Sequence, residues 1–155
     1  TALIRTLIGL VPAIILTSPL FGVSILKLGL PLLLLFLSLY IFGITLGLFV
    51  SAGLMRFGPS FENIAWSSLF LLAPLGCIYY PIEILPNFFQ IIAKGLPLVY
   101  IFDETRNILL NNFVNYENLK QAYLLNLIYL TFGIILFYFS FLKARIKGTL
   151  INMGE

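Results

Sequence analysis

Charged residues cut this chain into long apolar intervals, and the lengths of those intervals predict its elements. Thr6–Leu26 runs 21 residues without a charge, Leu28–Met55 runs 28, Asn63–Ile82 runs 20 and Gln121–Leu142 runs 22. A helix rising about 1.5 Å per residue needs about 20 apolar residues to cross a bilayer's hydrocarbon core. Four spanning helices are expected, over about 6–26, 30–55, 63–81 and 121–142, in a single transmembrane domain covering 1–155. The second interval exceeds the hydrocarbon thickness, so it is expected to tilt or protrude. Between the last two spans lie Ile84–Ala93, Gly95–Phe102 and Asn107–Tyr116. They are apolar but too short to cross, which reads as interfacial or re-entrant. Pro81, Pro86 and Pro97 punctuate this stretch. Each removes a backbone donor and obstructs the preceding turn, so two short helices are expected, over about 86–96 and 98–112. The fold class is all-α membrane protein, with a re-entrant or interfacial helical hairpin between the third and fourth spans.

The connections are short. Lys27-Leu28-Gly29 joins the first two spans, with Pro31 at the opening turn of the second. Arg56-Phe57-Gly58-Pro59-Ser60 joins the second to the third, where Ser60 and Glu62 or Asn63 suit a helix start. Four crossings place both ends on one side. Arg5, Arg56, Lys143, Arg145 and Lys147 fall there in short flanks. Lys27, Lys94, Arg106 and Lys120 fall opposite, most of them diluted by Glu83, Asp103, Glu104 and Glu117. Basic residues concentrate in short cytoplasmic flanks, so both ends are expected in the cytoplasm. Gly43, Gly47 and Ser51 recur every four residues along the second span. Such a stripe either admits a closely packed helix or reflects the abundance of glycine in membrane helices.

Composition strengthens the membrane reading: 61% of the 155 residues are hydrophobic and 10% charged, against about 25% charged in soluble domains. The net charge of +3 has no basic run, so nucleic acid is not an expected partner, whereas membrane lipid is. Cys77, the one cysteine, reads as a small buried hydrophobe. There is no histidine, and the span interiors hold no Asp, Glu, Lys or Arg. That argues against proton relays, ion sites and intramembrane hydrolysis. With no nucleophile–base cluster and no Gly-rich phosphate loop ending in Lys-Ser/Thr, the chain is not expected to be an enzyme or to bind a metal or cofactor. The chain opens at Thr1 with Arg5 alone ahead of an apolar run, a poor match to a signal peptide, and reads as a piece of a longer protein. Trp66, Tyr79, Tyr80 and Tyr123 lie near span ends and suit interface anchoring. Tyr40, Tyr129 and Tyr138 are weaker candidates for a sugar-stacking lining.

Tyr80-Pro81-Ile82-Glu83-Ile84-Leu85-Pro86, then Gly95-Leu96-Pro97 and Asp103-Glu104-Thr105-Arg106, follow the third span. This run resembles the signature of the type-2 ABC transporter permeases. The stretch Gly47–Gly58 and the tail Ala144–Leu150, ending Gly154-Glu155, are similar to that family as well. The resemblance covers essentially the whole chain. It implies the last four of six spans in the permease of an ATP-driven exporter, without the amino-terminal amphipathic helix, the first two spans and the main coupling helix. It further implies a prokaryotic plasma membrane, a glycan, lipid or drug-like amphipathic cargo, and a homodimer or heterodimer with a second permease. A separate ATP-binding cassette subunit would carry ATP and Mg. Tyr80, Pro81, Glu83, Pro86, Pro97, Asp103 and Arg106 would build an outer gate, and Arg56, Phe57, Gly58 and Glu62 would face the ATPase. Where the family has a small residue after the acidic one, this chain has Glu104. Asp103 and Arg106 are spaced to pair, and Glu83 to meet a cation of the other subunit, unless these charges are solvated among headgroups. A passive channel subunit and a non-transport membrane assembly protein are the alternatives.

Overall fold

The computed structural model describes Ile8, residues 29–111 and residues 114–147; apart from Ile8 the first expected span, 6–26, lies outside the described residues, as does the tail from residue 148. Every element among the described residues is helical: α1 (Gly29–Phe57), α2 (Phe61–Leu75), a short 3-10 turn (Ile82–Ile84), α3 (Asn87–Lys94), α4 (Pro97–Asn111) and α5 (Tyr116–Lys147). Two of them are long and apolar enough to cross a membrane, Gly29–Phe57 and Tyr116–Ile146. Their large apolar side chains point mostly outward, Leu33 and Phe132 among them. An outward apolar surface of this extent suits lipid and would associate in water.

α1 and α5 run side by side in the same direction. The Tyr123 hydroxyl donates to the Leu34 carbonyl at 2.8 Å. Asn126 Nδ2 donates to the carbonyl and to Oγ of Ser38 at 2.9 and 2.8 Å. Further along, Phe42 meets Tyr129 edge-on at 6.5 Å and Phe49 meets Phe132 at 5.9 Å, while Gly133 lies against Thr45 and Leu48. Residue numbers rise together on both helices, so the pair is parallel. Small and polar groups make this possible. Ser38, Thr45, Ala52 and Ala122 are wholly buried, and in lipid it is close packing and interhelical hydrogen bonding that bring helices together. Asn126→Ala is therefore expected to destabilise the protein in detergent micelles by about 1 kcal/mol. Leu127→Ala, one position round on the exposed face, is expected to do almost nothing. Equal unfolding midpoints for the two variants would remove the seam's role.

A parallel pair obliges residues 58–115 to return from the carboxyl end of α1 to the amino end of α5. α2 begins this return with the Phe61 ring packed over Gly53. It is 15 residues long, about 22 Å, and ends at Leu75 rather than running on to residue 81. The cause is local. Pro74 sits in the last turn, the Gly76 amide bonds the Leu72 carbonyl at 2.7 Å, and Cys77 turns left-handed with φ +53°. Gly76 is required here, because a Cβ would stand 2.8 Å from the Leu72 carbonyl oxygen and 2.9 Å from Leu98 of α4.

α4 completes the return. Pro97 occupies its first position, where a missing backbone donor costs nothing, and Pro86 plays the flanking role for α3. Next to Pro97, the Gly95 carbonyl accepts the Tyr129 hydroxyl at 3.0 Å. From there α4 climbs antiparallel to α5, burying Ile101 and Ile108 with Leu35 and Ala122. A second small core joins Cys77, Ala93 and Val99, with Tyr80, Ile82 and Leu85 packed against it.

Candidate functional site around α4

The middle of α4 meets the start of α5 through Glu104, which is only 1% exposed. Its Oε1 accepts the Asn115 backbone N–H at 2.6 Å, and its Oε2 accepts Asn118 Nδ2 at 3.2 Å. Asn118 Nδ2 also reaches Asp103 Oδ2 at 3.3 Å. Asn115 Oδ1 takes the Glu117 N–H at 3.1 Å and so caps α5. Acidic groups suit this position, because the unpaired amides of a helix start carry partial positive charge. Glu104 is thus a buried corner piece rather than a solvated headgroup-level charge.

Arg106 fastens the opposite corner. Its Nη1 donates to the Cys77 carbonyl at 2.8 Å, across the break that ends α2. Its Nη2 stands 3.7 Å from Asp103 Oδ1, a loose pairing within α4, and has no hydrogen-bond partner although buried. A terminated helix leaves carbonyls without amide partners, and the guanidinium meets one of them. The other breaks are tied in the same way. Tyr80 donates to the Pro74 carbonyl at 2.8 Å, Gln90 to Leu85 at 2.7 Å and Tyr100 to Lys94 at 3.0 Å. Of the other residues expected to build a gate, Pro81 leads into the 3-10 turn that carries Glu83. Pro81, Glu83 and Pro86 are all exposed. Asp103–Arg106 is the one ion pair among the described residues, and Glu83 is not part of it.

Arg56, Phe57, Gly58 and Glu62 gather at the far end of the molecule. Gly58 ends α1 left-handed at φ +76°, with its amide on the Leu54 carbonyl at 2.8 Å. Arg56 lies over the Phe57 ring at 5.6 Å, and Phe57 stacks on Phe61 at 5.7 Å. Glu62 is exposed in the first turn of α2. Among the described residues the expected packing stripe is open: Gly43 and Gly47 have nothing within 4 Å of where a Cβ would stand, and Ser51 is half-buried. No cluster suited to a metal ion occurs among the described residues.

Ser38, Asn126 and Gln90 carry polar contacts that sequence reasoning passed over. Their signal was available, since an amide side chain inside an apolar helix needs a partner. Tyr123 and Tyr129 lie at the expected anchor and lining positions, yet their hydroxyls serve internal carbonyls. Searches among protein-family models, curated proteins and solved structures find no match to this chain.

Proposed function

We propose that this chain is the four-span portion of a permease subunit of an ATP-driven exporter, with α3 and α4 forming a re-entrant hairpin that closes the pathway from outside. The observation that carries this reading is the treatment of the broken backbone. Irregular chain is tolerated at membrane depth only where its polar groups are satisfied internally. Here the carbonyls of Pro74, Cys77, Leu85, Lys94 and Gly95 each accept a side-chain donor. The hairpin tip is also deep. Tyr129 lies 13 residues into α5, about 20 Å along its axis, although its ring leans back toward the helix start. A solvated surface loop would need neither feature.

Parallel α1 and α5 carry Arg56, Lys143 and Arg145 to one end, which the positive-inside tendency assigns to the cytoplasm. The ATPase would dock there on Arg56, Phe57, Gly58 and Glu62. The open Gly43–Gly47–Ser51 stripe offers a close-approach face to a second permease. α2 is too short to cross alone, so the third crossing would be shared between α2 and the chain after it. Export would then proceed by nucleotide-driven bias between inward- and outward-open arrangements of the two permeases, with uncharged span interiors suiting glycan, lipid or amphipathic cargo.

Reconstitution of the full-length protein with a candidate ATP-binding cassette subunit tests this. Cargo-stimulated ATP hydrolysis in liposomes is the expected result. Ionic conductance without nucleotide would establish a channel instead. Failure to associate with any ATPase would leave an assembly protein.

A further inference from the structure

We propose that the groove between the carboxyl ends of α1 and α5 holds one anionic phospholipid from the leaflet on that side. A cavity of about 480 Å³ opens there, within the usual range for small-molecule sites. Arg56 and Lys143 line it with Ser140, and its walls include Phe132, Ile135 and Phe139. Neither cation takes part in an ion pair among the described residues, since the one such pair, Asp103–Arg106, lies on α4. Two cations with no ion-pair partner among the described residues, above apolar walls, fit an acidic headgroup with a hydrocarbon tail.

The dimensions agree with that occupant. Phe132 and Lys143 are 11 residues apart on α5, about 16 Å at the rise of a helix. One leaflet of a bilayer core is about 15 Å thick. A headgroup phosphate placed between Arg56 and Lys143 therefore leaves its acyl chain a wall as long as the leaflet is deep. The guanidinium fork suits two phosphate oxygens, and the ammonium acts as a point charge beside it. A zwitterionic lipid brings its own cation to the same mouth and is disfavoured. The proposal rests on α1 and α5 spanning a bilayer and is independent of export.

Native mass spectrometry of the full-length protein, extracted from vesicles of equal phosphatidylglycerol and phosphatidylcholine, reads the site directly. One phosphatidylglycerol per chain is expected to survive detergent exchange. The double variant Arg56→Gln/Lys143→Gln should reduce its retention by at least about tenfold, since each basic group near an anionic lipid contributes severalfold in affinity. Ile135→Trp, which narrows the groove without changing charge, should reduce it as well. Arg145→Gln removes an exposed charge at the same end and should leave retention unchanged. Equal retention of the two lipids overturns the proposal. So does an Arg145→Gln loss as large as that of the double variant, which would mean diffuse surface attraction. Displacement of the lipid by millimolar inorganic phosphate would mean a phosphate site without a lipid, and overturns it equally. Helical content and elution volume identify variants that fail to fold, and the charge-neutral Ile135→Trp keeps the test decisive should the double variant be among them.

Discussion

Glu104→Leu is expected to destabilise the protein by roughly 3 kcal/mol, read as a fall in the thermal unfolding midpoint in detergent micelles. The carboxyl group is 1% exposed and is the acceptor for both the Asn115 amide and the Asn118 side chain. Leucine fills a similar volume but leaves both donors facing an apolar group, and an unmade bond at a buried donor costs more than the bond itself contributes. The α4–α5 corner would then be held by the apolar contacts of Ile101 and Ile108 with Ala122. Glu104→Gln separates shape from acceptor chemistry. It keeps an oxygen for the Asn115 amide, while Asn118 can rotate its own oxygen toward the new amide group, so less than half the loss is expected. A leucine variant that melts with the parent protein, or a glutamine variant as damaged as leucine, would show that the corner is held by something else.

The second large effect concerns Arg106→Ala. Cys77 is the chain's one cysteine and is fully buried, which makes it a natural reporter of the joint between α2 and α4. In the parent protein its alkylation should be slow, because reaction requires the joint to open. Removing the guanidinium strips the Cys77 carbonyl of its partner. A hydrogen bond to a charged group contributes about 1.5–3 kcal/mol, so alkylation should accelerate roughly 10- to 100-fold, each 1.4 kcal/mol being a factor of ten. Arg106→Lys can still donate one bond and should fall between. If the hairpin gates export, coupled transport should drop in the alanine variant while membrane insertion stays intact. Unchanged alkylation would separate Arg106 from the joint, and unchanged transport would separate the joint from gating.

These two residues mark where the sequence could be read and where it could not. Pro86 and Pro97 announced the starts of α3 and α4, because a proline's effect on a helix is local and independent of what surrounds it. The termination of α2 at Leu75 was missed. Charge-free length measures whether a segment can reside in lipid, whereas Pro74, Gly76 and the left-handed Cys77 decide whether its helix continues. Burial of Glu104 was not legible either, since it depends on α5 folding back to bring Asn115 and Asn118 beside it, 11 and 14 residues further on. The Asp103–Arg106 spacing was legible as a pair, yet the shorter contact of Arg106 is to a carbonyl 29 positions earlier. The partner of α1 was likewise hidden. Ser38 and Asn126 are each conspicuous in an apolar run, but nothing in their local sequence matches one to the other.

The seam between α1 and α5 also sets a timetable for synthesis. Ser38 and Asn126 are separated by 88 positions, and ribosomes add about 5–20 residues per second. For roughly 4–18 seconds the newly made α1 must wait with Ser38 and Thr45 lacking their eventual neighbour, sheltered by lipid, by the insertion machinery or by α2. A stall between residues 60 and 115 would prolong that exposure. Nascent chains arrested there should be the ones most readily captured by quality-control proteases, and those released after residue 130 the first to escape them.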